Sequence, residues 1–157
     1  MQSSIHDLPN EVLLIIFKWA FIYTHNHKIL PQTTTYYPDF QFLHIATLVC
    51  KNWSNLTRLA PILWTDLRIY VDEKTTSLSR IQTYLDLSLD LPLDLHVLRH
   101  TYTHDSIDLD ETLRCGVVID MLIPHFRRRR IINFNVLHSS SLPSIHREFR
   151  GHAPHLI

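Results

Sequence analysis

Leu8-Pro9-Asn10-Glu11-Val12-Leu13-Leu14-Ile15-Ile16-Phe17-Lys18-Trp19-Ala20-Phe21 is the stretch that decides how the chain folds. Proline suits the first position of a helix because its missing N–H would be unpaired there anyway. A helix is therefore predicted to begin at Pro9, with Asp7 or Leu8 at the cap. Glu11 falls in the first turn, where the helix dipole favours a carboxylate. From Val12 onward the run is apolar nearly all round. Val12, Leu13, Ile16, Phe17 and Ala20 make one stripe at helical spacing, and Leu14, Ile15 and Trp19 make a second. A helix with two apolar faces needs two covers. The helix's own domain supplies one; in a chain of 157 residues the other reads as a partner.

Residues 22–41 break this pattern. Pro31, Pro38 and Thr33-Thr34-Thr35 make the segment a loop, long enough to read as a surface insertion. Helix is predicted to resume over 40–60, where Leu43, Ala46, Val49, Cys50, Trp53, Leu56, Leu59 and Ala60 share a spacing. Phe17, Leu48, Leu56 and Leu59 are expected in the core. Pro61 stops the helix, and Leu67-Arg68-Ile69-Tyr70-Val71 reads as extended.

Helix and strand then alternate. A helix over 76–88 carries Leu78, Ile81, Tyr84, Leu85 and Leu87, and a strand follows over 92–98. A second helix over 110–123 carries Leu113, Val117, Val118, Met121 and Leu122, before a strand over 131–136 and a further helix opening over 143–149. Such alternation predicts parallel strands joined by crossover helices, as in leucine-rich-repeat solenoids. Two glycines in the whole chain disfavour hairpin-built β folds and exclude a glycine-rich phosphate loop. The fold class is mainly α with some β.

Composition narrows the function classes. An apolar share of 45% can bury a core. Fifteen basic residues balance fifteen acidic ones, so charge gives no reason to expect nucleic acid or an anionic membrane. Cys50 and Cys115 are too few for a disulfide framework, and neither a signal peptide nor a spanning segment is visible. The expectation is a soluble intracellular protein, cytoplasmic or nuclear.

Three short strings carry a family resemblance. Leu8-Pro9-Asn10-Glu11-Val12-Leu13 resembles the opening of the F-box motif, Leu48-Val49-Cys50-Lys51-Asn52-Trp53 its Val-Cys-Lys-x-Trp signature, and Pro61-Ile62-Leu63-Trp64 its closing Pro-x-Leu-Trp. They occur in the family's order over residues 5–70, and the insertion at 22–41 is the departure, as in many large fungal F-box families. The resemblance implies a three-helix module at 1–70 that docks on the Skp-type adaptor of a cullin ubiquitin ligase. It also implies a substrate-adaptor role with an unknown protein substrate, in the ubiquitin conjugation pathway. Position by position, the implied adaptor-facing residues are Leu8, Pro9, Glu11, Val12, Ile16, Val49, Cys50, Trp53 and Trp64. Trp53 and Trp64 suit core or interface equally. Residues 71–157 resemble the family's leucine-rich-repeat-like tail through Pro92-Leu93-Asp94-Leu95-His96-Val97 and Pro124-His125-Phe126-Arg127. The expectation there is a truncated repeat region of irregular α/β units.

No enzyme chemistry emerges. His96, His100 and His104 are four apart but fall on a predicted strand and a poor helix former, and His25 and His27 sit in the loop without an acid or cysteine. No metal or cofactor is expected. Cys50 follows His44 without a third orienting group, so it reads as a small packed residue. Asp105, Asp108, Asp110 and Glu111 lie at a helix start, where capping accounts for them. Arg127-Arg128-Arg129-Arg130 reads as a solvated turn whose stems cover apolar surface, with phosphate binding or nuclear import as alternatives. The runner-up function is nucleic-acid binding through that run; a third is a truncated, non-functional F-box remnant.

Overall fold

The structure, a computed structural model, describes residues 8–26, 42–72, 75–99 and 110–143 together with Ile5 and Asp108. The chain divides into two compact units, Met1–Trp64 and Thr65–Ile157. The division falls ahead of the first strand rather than after residue 70, because that strand pairs with residues of the second unit.

In the first unit, α1 spans Asn10–Asn26, α2 Phe42–Val49 and α3 Lys51–Arg58, and a 3-10 turn covers Pro61–Trp64. Pro9 stands one position outside α1: its carbonyl accepts from the N–H groups of Val12 and Leu13 at 3.0 and 3.1 Å. The helix runs on to Asn26, so the predicted loop loses its first five residues. Residues 27–41 lie outside the described residues.

The single helix predicted over 40–60 is two helices. Cys50 is fully extended (φ −162°, ψ 167°) and caps α3, its Sγ accepting from the Trp53 N–H at 3.5 Å. Of the predicted inward stripe, Val49 and Leu59 are exposed. Leu48 and Leu59, expected in the core, are 70% and 71% exposed, whereas Leu56, Thr57 and Ala60 turn inward. The core forms around Phe17 and Leu13, both 0% exposed. Phe17 meets the Phe42 ring edge-on at 5.7 Å and the Trp53 ring at 4.7 Å, the tilted geometry that aromatic quadrupoles prefer.

In the second unit, β1 (Asp66–Tyr70), α4 (Leu78–Leu87), β2 (Leu93–Leu98), α5 (Glu111–Leu122) and β3 (Arg129–Phe134) follow in order. The three strands form one parallel sheet in the order β1-β2-β3. The chain is thus of mixed α/β class, with five helices and a three-strand sheet among the described residues. Alternation sets the faces: Leu67, Ile69, Leu93, Leu95 and Val97 are buried, while Arg68, His96 and Asn133 stand in register on the other side. The predicted strand at 131–136 begins two residues earlier, and the helix expected over 143–149 lies outside the described residues beyond Pro143.

The inward stripe of α5 also departs from expectation. Leu113 and Val117 point outward, and the buried positions are Glu111, Cys115, Val118, Ile119 and Leu122. A carboxylate on the inward stripe defeats a reading by hydropathy, because only its partners make that burial tolerable.

Candidate functional site

The outward face of α1 is the feature that the first unit's own core leaves unexplained. At 100° per residue, Leu13 and Phe17 point one way, with Ala20 and Phe21 half-buried beside them. Val12, Ile15, Ile16, Trp19, Ile22 and Tyr23 occupy a continuous arc on another side, and all are exposed; Trp19 reaches 68%. Two apolar stripes are present, as the sequence suggested, but their membership differs. Val12 and Ile16 belong with Ile15 and Trp19, and not with Leu13 and Phe17. Periodicity had grouped neighbours within about 40° of one another without knowing where the boundary between the faces fell.

The other helices add to this outward apolar character. On α2, Ile45, Leu48 and Val49 are exposed opposite the buried Leu43 and Ala46. Beyond α3, Leu59 and Ile62 are exposed. The start of α1 is tied to the start of α3, where Asn52 Nδ2 donates to Asn10 Oδ1 at 3.3 Å.

The implied adaptor-facing residues divide into three groups. Leu8, Pro9, Glu11, Val12, Ile16 and Val49 are exposed. Cys50 and Trp53 are half-buried. Cys50 serves as the α3 cap, and the Trp53 ring packs on Phe17 with a buried indole N–H that no described residue accepts. Trp64 is a core residue: it is buried, and its Nε1 donates to the Thr57 carbonyl at 2.9 Å. That bond corrects the assignment of Trp64 to the surface, since a buried indole needs a fixed acceptor. The second apolar face read from the sequence held Leu14, Ile15 and Trp19, of which Ile15 and Trp19 are exposed and Leu14 is half-buried; Ile22, Tyr23, Ile45, Leu48 and Leu59 were missed as presented residues.

In the second unit, several charged groups are paired internally. Glu111 is 0% exposed, and its carboxylate accepts from the Leu137 N–H at 2.9 Å, the His138 N–H at 2.9 Å, Ser141 Oγ at 2.8 Å and Arg99 Nη1 at 2.5 Å. Burial alone would raise its pKa, but the His138 N–H, Arg99, the Leu137 N–H and Ser141 outweigh that and hold it at about 2. Glu111 is therefore the bracket that fastens residues 137–141 to α5, and not the dipole cap that its position suggested. Asp108 accepts from Arg114. Burial and the nearby Glu111 charge push the Cys115 thiol up to about 11, which removes it as a nucleophile.

Three of the four arginines in the run are tied into the fold, two of them buried. Arg128 is buried and donates to the Leu85 carbonyl at 2.9 Å, to Ser88 Oγ at 3.0 Å and to the Leu89 carbonyl, closing the C-terminal end of α4. Arg129 is buried with its guanidinium on the Phe126 carbonyl at 2.6 Å. Arg130 is the extra residue where the β2–β3 register shifts, and it grips both Asp94 oxygens at 2.8 and 2.5 Å. Only Arg127 of the four is turned outward without such a grip among the described residues.

His96 lies on β2 with Nε2 3.7 Å from Asp66 Oδ1; His25, His27, His100 and His104 fall outside the described side chains. Among the described residues no cluster of three His, Cys, Asp or Glu could hold a metal ion, and no helix is long and apolar enough to cross a membrane. No family model, curated protein or solved structure matches the chain.

Proposed function

We propose that the first unit is an F-box-type docking module that attaches the chain to the Skp-type adaptor of a cullin ubiquitin ligase. The chain is then a substrate-adaptor subunit without catalysis of its own, and the second unit is a leucine-rich-repeat-like region whose protein substrate is unidentified. The observation that carries this reading is the outward apolar arc Val12–Tyr23 on a helix whose opposite face already fills its unit's core. An exposed apolar patch of this kind marks an interaction site, and an amphipathic helix commonly supplies it by lying in a partner's groove. Support also comes from the order of the three sequence strings, which fall on the start of α1, the α2–α3 break and the closing 3-10 turn. The parallel β-α-β-α-β order of the second unit suits a repeat region.

A nucleic-acid-binding role through the arginine run is disfavoured, because three of its four guanidinium groups are committed to carbonyls or to Asp94. Co-purification of the full chain with purified Skp-type adaptor tests the proposal. Stable association is expected, and Leu8→Ala with Pro9→Ala weakens it while the helical circular-dichroism signal is kept. No association of the intact chain sinks the reading.

A further inference from the structure

Among the described residues, the lysines and arginine of the first unit form no ion pair, whereas several arginines of the second do. Among the described residues of the first unit, Lys18, Lys51 and Arg58 are exposed and Glu11 is the lone carboxylate. None of the three cations forms an ion pair with any described residue. In the second unit Arg99 meets Glu111 at 2.5 Å and Asp108 at 3.5 Å, and Arg130 meets Asp94 at 2.5 Å. Each of the first unit's three cations has exposed apolar residues near it in the sequence. Lys18 lies three residues after Ile15 and four before Ile22, which makes it their neighbour on the helix surface. Arg58 adjoins Leu59, and Lys51 follows Val49 at the start of α3.

Resting on the docking role proposed above, we infer that the partner is a protein whose apolar, helix-lined groove is edged by carboxylates, drawn in by Lys18, Lys51 and Arg58. The helix-lined groove follows from spacing: Val12, Ile15, Trp19 and Ile22 alternate steps of three and four, the seam by which helices pack on helices. The acidic edge follows from charge complementarity, since like charges across an interface are strongly disfavoured. The same argument removes a second copy of this chain, which would set cation against cation. An anionic membrane fits less well. Membrane-surface helices carry rows of Lys and Arg on their polar face, and α1 offers Lys18 with Glu11 as its opposite.

Rim charges act mainly on the rate of encounter and little on the lifetime of the complex. Stopped-flow association of the full chain with purified Skp-type adaptor, at about 50 and about 500 mM NaCl, reads that rate. The association rate is expected to fall about tenfold or more across this range, with a nearly constant dissociation rate. K18E/K51E/R58E should show a comparable loss at low salt and little at high salt, with K18Q/K51Q/R58Q between; circular dichroism verifies that both variants fold. Binding whose association rate stays within about twofold across salt and variants overturns the acidic edge and leaves docking standing. No binding at any salt overturns both. Capture by phosphatidylserine-containing vesicles that K18E/K51E/R58E abolishes, with adaptor binding unaffected, assigns the cations to a lipid surface and overturns the inference.

Discussion

Glu111→Gln isolates the bond set that closes the second unit, and its cost can be worked from the structure. The Glu111 carboxyl is held at about 2 against an ordinary 4.5. Each unit of depression represents about 1.4 kcal/mol, so the charged form contributes roughly 3 kcal/mol at neutral pH. Glutamine also turns an NH2 group toward the N–H donors of Leu137 and His138, which leaves a buried donor unsatisfied at about 1 kcal/mol or more. The expected loss is about 4 kcal/mol, confined to the second unit. Hydrogen exchange of the β2 amides and of residues 135–141, read by mass spectrometry, measures it. Trp19, Trp53 and Trp64 all lie in the first unit, so indole fluorescence during urea unfolding serves as the control. The folded-state pKa is below the unfolded one, so the stabilisation is complete above about pH 4.5 and fades as pH falls toward 2. The wild-type advantage over Glu111→Gln should narrow through that window. A variant within about 1 kcal/mol of wild type at pH 7, or a difference that ignores pH, refutes the reasoning.

Three further changes probe the packing of the two units, each by itself. Phe17→Ala empties the centre of the first unit and is expected to cost about 3–5 kcal/mol, read from the indole unfolding midpoint. Arg128→Met strips the donors from the Leu85 and Leu89 carbonyls at the end of α4 and should cost about 2–3 kcal/mol, with an unchanged denaturant slope by circular dichroism. Leu89 adopts a left-handed conformation at φ 51°, so Leu89→Gly should raise the thermal midpoint by relieving up to about 1 kcal/mol of strain.

Local signals carried far in this sequence. Pro9 and Glu11 marked the start of α1 to within one residue, and alternation in Leu93–Leu98 located β2 with its faces. The parallel sheet followed from the strand–helix alternation because parallel strands require crossovers. What failed depended on single residues in roles that their type does not announce. Cys50 ends one helix and caps the next, a role for which Ser, Thr, Asp or Asn would have been the usual signal. Glu111 and Arg128 looked like surface charges, and their partners at 137–141 and 85–89 are distant in the sequence. For the candidate site, the two-faced character of α1 was legible, but the boundary between its faces was set by how Phe17 meets Phe42 and Trp53.

The claim that the outward arc of α1 is a docking surface is tested most directly by Ile15→Ser with Trp19→Ser in the full chain. Both side chains are exposed, so the helical signal and the urea midpoint should stay as in wild type. Titration calorimetry against purified Skp-type adaptor should show the affinity falling by about a thousandfold. Two buried anchors of about 2 kcal/mol each, at tenfold per 1.4 kcal/mol, give that figure. A folded double variant that keeps wild-type affinity contradicts the account.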